Sequence, residues 1–355
     1  MVRSRPAKFT RMKLGLTLGY WGAGPPPDAL EKVLEAERLG YDAVFTAESW
    51  GSDAFTPLAW WGSRTSRIRL GTSIVQISAR TPAACAMTAL TLDHLSEGRL
   101  ILGLGVSGPQ VVEGWYGQPF GRPLARTREY ITIIRDILAR EAPVTNPGPH
   151  YPMPYSGPYG LDLGKPLRPI THPRRADLPI WMGAEGPKNI ALVGEIADGW
   201  LPIYYSPKVS AMYNGWLAEG FAKRQRSREG FEIATNCQVV VTDDAASAVR
   251  AMKPMLGFYI GGMGARDMNF HKDVFGRMGY EKEVQEVQDL FFEGKRDDAI
   301  GAVPDRLVQD ISLIGSLGKI RDDLAEWEEA GVTMLVVGAR TLDDLRITAD
   351  AVLGR

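Results

Sequence analysis

The residues able to do chemistry lie where short apolar runs give way to polar, aromatic or glycine-rich stretches. One run ends Thr46-Ala47-Glu48-Ser49-Trp50, and the run before it ends Gly19-Tyr20-Trp21-Gly22. A carboxyl group among aromatics is partly desolvated, which raises its pKa toward neutrality and suits it to general acid or base work. Glu48, with Trp50 beside it, is therefore the expected catalytic element, and a structural salt bridge is the other reading of Glu48. Tyr20, Trp21 and Trp50 would flank a planar cofactor or simply pack the top of the fold. Further on, Gly183-Ala184-Glu185-Gly186 is followed by Pro187 and Lys188. Small residues let backbone N–H groups approach a phosphate, and proline at the first helical position leaves the helix N-terminus facing it. A plain strand-to-helix turn is the alternative there.

Gly103-Leu104-Gly105-Val106-Ser107-Gly108 matches the G-x-G-x-x-G pattern of dinucleotide sites. That pattern needs a following helix and an acid at the next strand end, whereas Pro109, Trp115-Tyr116-Gly117 and Pro119 follow here. The expectation is a close-approach loop in which Gly105, Ser107 and Gln110 touch a ligand. Arg80 would meet an anionic group or serve as a surface or inter-helix partner. His94, His150, His172 and His271 are scattered, and no G-x-S-x-G elbow occurs, so a metal hydrolase and a serine nucleophile are both disfavoured and no metal is expected. Cys85 and Cys237 lie among apolar residues and read as reduced core residues of a cytoplasmic protein. What remains is a bound organic cofactor that carries the reactivity toward a small-molecule substrate.

The elements that must position these residues follow from pattern and composition. In 355 residues, 41 Lys plus Arg against 42 Asp plus Glu leave a net charge of -1, which removes the electrostatic basis for binding nucleic acid. No apolar run reaches the length of a membrane span. Eight short apolar runs alternate with helical patterns: 13–19, 42–47, 68–76, 100–106, 178–183, 198–203, 233–241 and 333–338. Their non-alternating character suits parallel strands covered on both faces. A faint repeat at Glu37-Arg-Leu-Gly-Tyr-Asp, Glu195-Ile-Ala-Asp-Gly-Trp and Glu329-Ala-Gly-Val reads as helix end, glycine stop, next strand. Eight such units predict an α/β fold, a (β/α)₈ TIM barrel forming one domain over 1–355, with chemistry at the C-terminal strand ends. A helix over about 28–39 should turn Leu30, Val33 and Leu34 inward. Two segments, about 141–177 and 257–304, are too long for ordinary loops and are expected as insertions shaping the barrel mouth.

Leu39-Gly-Tyr-Asp-Ala-Val-Phe-Thr-Ala-Glu48, Arg69-Leu-Gly-Thr-Ser-Ile74, the stretch from Leu92 to Gly105, Gly183-Ala-Glu-Gly186, Ala197-Asp-Gly-Trp200 and Glu329-Ala-Gly-Val332 span most of the chain. Through these stretches the sequence resembles the bacterial luciferase-like superfamily and, within it, the coenzyme F420-dependent oxidoreductases of the actinobacterial type. The resemblance implies a deazaflavin, or in the alternative the flavin FMN, across the barrel mouth, and a homodimer or higher homo-oligomer. It also implies a cis peptide at Ser73-Ile74 in a bulge behind the ring, with Ser73 and Ile74 at the ring, Val106, Ser107 and Gln110 beside the tail, and Gly183, Ala184, Glu185 and Gly186 at the phosphate. Several F420-dependent relatives end the second strand with Asp-His. Here Ala47-Glu48 stands in that place, so a histidine acid or base is absent there. The implied activity is hydride transfer between F420 and a small organic substrate. An FMN-dependent monooxygenase using reduced flavin and O₂ is the alternative, and a non-catalytic F420 carrier is a third reading.

Overall fold

The apolar runs pair side by side as parallel strands: β1 (Lys13–Thr17), β2 (Ala43–Thr46), β3 (Arg69–Thr72), β4 (Val75–Gln76), β5 (Leu100–Gly105), β6 (Ile180–Met182), β7 (Gly199–Trp200), β8 (Glu232–Asn236), β9 (Gln238–Val241), β10 (Ser312–Gly315) and β11 (Met334–Gly338). This is a computed structural model that describes residues 11–225 and 227–354; of the domain expected over 1–355, residues 1–10, 226 and 355 lie outside the described residues. The order β3-β2-β1-β11-β8-β7-β6-β5 is closed by pairing of β3 with β5, giving a closed eight-stranded parallel barrel wrapped by helices.

The barrel interior is filled, as a small barrel requires. Phe45, Trp181, Ile101, Leu201, Met334 and Val336 form its inner cluster, and a second, larger cluster lies between barrel and helices. Glycines make this filling possible. A Cβ on Gly71 would stand 2.3 Å from the Phe45 ring and one on Gly15 2.7 Å from it, while a Cβ on Gly103 would stand 1.8 Å from the carbonyl oxygen of Thr72. Gly103 therefore serves barrel closure between β3 and β5, which accounts for the first glycine of the dinucleotide-like pattern. Only the short helix Pro109–Gly114 follows that pattern.

Two expected strands are each divided. The third run breaks at Ser73-Ile74, whose peptide is cis, so β3 and β4 both pair with β5 on either side of the break. The seventh run breaks at Cys237. Its first half, β8, stays in the barrel, and β9 leaves to form a separate parallel pair with β10. β10 was not among the eight expected runs, because its four residues form too short a signal to stand out from the helices around them. The first helix spans Ala29–Leu39 and stops at Gly40, φ 86°. Its buried face is Val33 and Ala36 with Lys32, and Leu34 is 41% exposed, so the inward stripe lies a step round from the expected one.

Between the helix Pro123–Ala139 and β6 the chain forms no regular element beyond isolated bridges. The 257–304 segment supplies the end of the helix Ala245–Gly261 and the helices Phe270–Phe275, Glu281–Phe292 and Arg296–Ala302. Among the described residues no helix is long and apolar enough to cross a membrane.

Candidate active site

The C-terminal strand ends gather the predicted residues at one mouth. At its centre the cis peptide puts Ile74 between two glycines. A Cβ on Gly105 would come within 2.8 Å of the Ile74 side chain, and one on Gly183 within 3.2 Å. The bulge thus seats Ile74 in a slot that only glycines at the ends of β5 and β6 leave open. Ser73 N–H donates to the Thr46 carbonyl (2.6 Å) and Glu48 N–H to the Ile74 carbonyl (3.2 Å), so the bulge is laced to β2. Ser73 and Ile74 both keep partial exposure.

Glu48 has a different environment from the expected one. Its side chain is 3% exposed and forms a bidentate pair with Arg80, Nη2 to Oε1 at 2.7 Å and Nη1 to Oε2 at 3.1 Å. The Gln76 N–H donates to Oε2 (2.9 Å), and the Gln76 amide donates to the Glu48 carbonyl (3.0 Å). A fork of this kind is among the stronger charge-assisted pairings and fixes both partners. The carboxylate ties β2 to β4 across the point where the bulge interrupts the ladder, rather than standing free among the aromatics. The anionic group that Arg80 meets is Glu48. Trp50 is 57% exposed on the rim and Trp21 is half-buried, with the Trp21 carbonyl 3.9 Å from where a Cβ on Gly51 would stand.

At the end of β5, Val106 and Ser107 are partly exposed, and Ser107 holds the left-handed backbone, φ 61°. Gln110 is exposed, its amide oxygen folded back toward Gly108, 3.0 Å from where a Cβ there would stand.

The loop after β6 has the features of an anion cradle. Gly186 stands at φ 80°, and the helix Pro187–Ile196 starts at the next residue. The Arg277 guanidinium lies against Gly186, its nitrogens 3.9 Å from the place a Cβ would take. Ala184, Gly186, Tyr204, Tyr213 and Arg277 line a cleft here. Tyr213 is 4% exposed and its hydroxyl has no hydrogen-bond partner among the described residues. An unsatisfied buried hydroxyl costs about 1–3 kcal/mol, which a ligand acceptor would relieve. A guanidinium, a helix N-terminus and an unpartnered hydroxyl around one glycine fit a phosphate. The Ala184 carbonyl accepts from the Trp200 indole (3.0 Å), and Glu185, which also lines the cleft, is tied to His271, Oε1 to Nδ1 at 2.9 Å.

Tyrosines complete the mouth. Burial pushes the Tyr204 hydroxyl pKa well above its ordinary value, and the charges of Tyr259, Glu185 and Tyr20 add to the shift. Tyr259 is pushed up to about 12, by burial first and then by Tyr20 and Glu185. Tyr20 is 53% exposed, yet desolvation raises its pKa too, as expected for a ring in a concave opening. Sequence reasoning missed Gln76, Tyr204, Tyr213, Tyr259 and Arg277, and set His271 aside. Tyr204 follows the sixth expected strand, where position alone could have found it. The others reach the mouth from distant segments and leave no local signal.

The fold is shared with proteins already known. The family model described as luciferase-like monooxygenase matches residues 10–334. The chain belongs to the luciferase-like monooxygenase family. Within that family it is 62% identical, over 94% of its length and 97% of the other's, to Rv3520c of Mycobacterium tuberculosis, named as a candidate coenzyme F420-dependent oxidoreductase. It is 28% identical to the 5,10-methylenetetrahydromethanopterin reductase of Methanolobus tindarius, over 88% and 92% of the two chains. The solved coenzyme F420-dependent tetrahydromethanopterin reductase of Methanopyrus kandleri superposes with a TM-score of 0.79 over 97% and 99% of the chains at 23% identity, a likeness of fold.

Proposed function

We propose that this luciferase-like enzyme is a coenzyme F420-dependent oxidoreductase acting on a small organic substrate. The observation that carries the reading is the 62% identity over nearly the whole chain to a relative named for F420 dependence. The anion cradle supports it. Arg277, Tyr213 and the backbone donors at Gly186 would hold the cofactor phosphate, with Gly183 and Ala184 bringing the backbone close. Ile74 and Ser73 would back the ring, Val106, Ser107 and Gln110 would border its tail, and Trp21 and Trp50 would wall the mouth. When bound, the deazaflavin supplies or accepts hydride and reacts poorly with O₂, because carbon replaces the ring nitrogen that supports hydroperoxide chemistry. The Glu48–Arg80 pair keeps the bulge in position, and the tyrosines restrict water. Homo-oligomerisation belongs to the same proposal, supported by the exposed Tyr159, Leu161, Leu163 and Ile170, and sedimentation would test it.

Equilibrium fluorescence titration with F420 and FMN tests the cofactor. Tighter F420 binding and turnover without O₂ are expected. Equal or tighter FMN binding with O₂ consumed would favour the monooxygenase, and F420 binding without turnover on any substrate would favour a carrier.

A further inference from the structure

Hydride transfer to or from a carbon that bears oxygen or nitrogen leaves one proton to be moved, and the β2 end offers no free acid or base for it. Ala47 occupies one position there and Glu48 is committed to Arg80. The inserted segment supplies an alternative. His271, on the helix Phe270–Phe275, has Nδ1 2.9 Å from Glu185 Oε1, with the two side chains 22% and 17% exposed. Its ring stands edge-on to Tyr259 (centroids 4.9 Å, 73°) and to Tyr204 (6.3 Å, 87°). Nε2 makes no hydrogen bond among the described residues and is not sealed from solvent. A carboxylate that accepts from Nδ1–H selects the tautomer whose Nε2 lone pair is free, and it stabilises the imidazolium formed when Nε2 takes a proton. The tyrosines that share the mouth are poor proton donors, their hydroxyls held up by burial.

We propose that His271 is the proton-transferring residue of this site and that Glu185 is its positioning residue. The proposal rests on the reading of the protein as an F420-dependent hydride-transfer enzyme, and it requires a substrate in which the reacting C–H bond lies beside an O–H or N–H group on the oxidation side, a C=O or C=N bond on the reduction side. In oxidation the C–H bond breaks with its electron pair leaving as hydride to the oxidised deazaflavin. The O–H or N–H proton passes to Nε2, and the new C=O or C=N bond closes the balance. Reduction runs the same steps backward. Besides Glu185, Tyr204 and Tyr259, the ionisable groups around the ring are Tyr20, which influences both tyrosines, Arg277, which lines the same cleft as Glu185 and pairs with Asp273 (3.8 Å), and Lys272 and Asp273 on the same helix.

The test uses the full chain with F420 and a panel of secondary alcohols and amines, and with reduced F420 and cyclohexanone. His271→Asn keeps a donor toward Glu185, so F420 affinity should stay within threefold while turnover falls about 10² to 10⁴-fold. Added imidazole should restore part of the turnover of His271→Ala. Independently of activity, ¹⁵N spectra of the imidazole should show the Nδ1–H tautomer in the wild type and a tautomer mixture in Glu185→Gln. Turnover within threefold of wild type in His271→Asn, or no tautomer change in Glu185→Gln, overturns the proposal. A wild type that binds F420 but turns over no member of the panel refutes the enzyme reading in favour of a carrier, and one that does not bind F420 refutes the cofactor reading; in both cases the tautomer spectra still judge the dyad.

Discussion

Replacing Glu48 with Gln removes the charge opposite Arg80 and changes the side chain's size very little. The pair lies at 2.7 and 3.1 Å with side chains 3% and 20% exposed, so the variant leaves a guanidinium largely shielded from water without its counter-charge. Breaking one side of a buried pair costs about 3–5 kcal/mol. Gln keeps one oxygen for the Gln76 N–H and Arg80 keeps some solvent, which places the expected loss near the lower end, about 3 kcal/mol. An unfolding entropy of about 2.1 cal/mol/K per residue over 355 residues is ~0.75 kcal/mol/K, so the melting temperature should fall by about 4 °C. Arg80→Met should cost a similar amount. The double variant should lose less than the two singles together, with a coupling of at least ~1.5 kcal/mol. Differential scanning calorimetry of the four proteins reads both quantities. A Glu48→Gln protein that melts within 1 °C of wild type yet loses turnover about 10²-fold or more would refute this reasoning and return Glu48 to a proton-handling role.

Arg277→Met should raise the F420 dissociation constant tenfold or more, about 1.4 kcal/mol, and leave binding of the phosphate-free deazaflavin riboside unchanged; equal effects on both ligands would place the phosphate elsewhere. Gly186→Val, forced into φ 80° against the guanidinium, should do the same while the fold survives by circular dichroism. Tyr213→Phe should leave the ligand-free melting temperature unchanged or slightly higher, since the hydroxyl has no partner to lose, and should weaken F420 binding several-fold in the same titration. Glu35 is held down to about 2 from 4.5, first by the hydrogen bond from Arg38 and then, against some desolvation, by Arg346. Its folded-state pKa is depressed, so its contribution to stability is complete above pH 4.5 and is lost as the pH falls toward about 2. Urea unfolding across that window should show a shallower acid loss in Glu35→Gln than in wild type, the two proteins differing above pH 4.5 and converging toward pH 2, and the difference should be modest because Arg38 and Arg346 are 64% and 50% exposed.

Sequence pattern was sufficient for the barrel, because each βα unit writes its own signal. An apolar run followed by a 3.6-residue periodicity and a glycine stop is local, as at Glu37 to Asp42, and eight such units fill one closed sheet. The glycine turn and helix start at Gly186 and Pro187 were legible for the same reason, since both are encoded by neighbours in the chain. The bulge at Ser73-Ile74 came only through family likeness. Its physical basis, Ile74 seated between Gly105 and Gly183, joins three strands whose spacing in sequence carries no information about their spacing in the barrel. Tertiary structure alone decided that Glu48 meets Arg80 instead of the aromatic rim, for a carboxylate is drawn to whichever cation the fold brings within reach. It alone brought Arg277 to Gly186 and His271 to Glu185, from an inserted segment whose helices could be guessed but whose docking could not. Periodicity fixes which face of an element is buried, whereas the partner of a polar side chain depends on how the elements close.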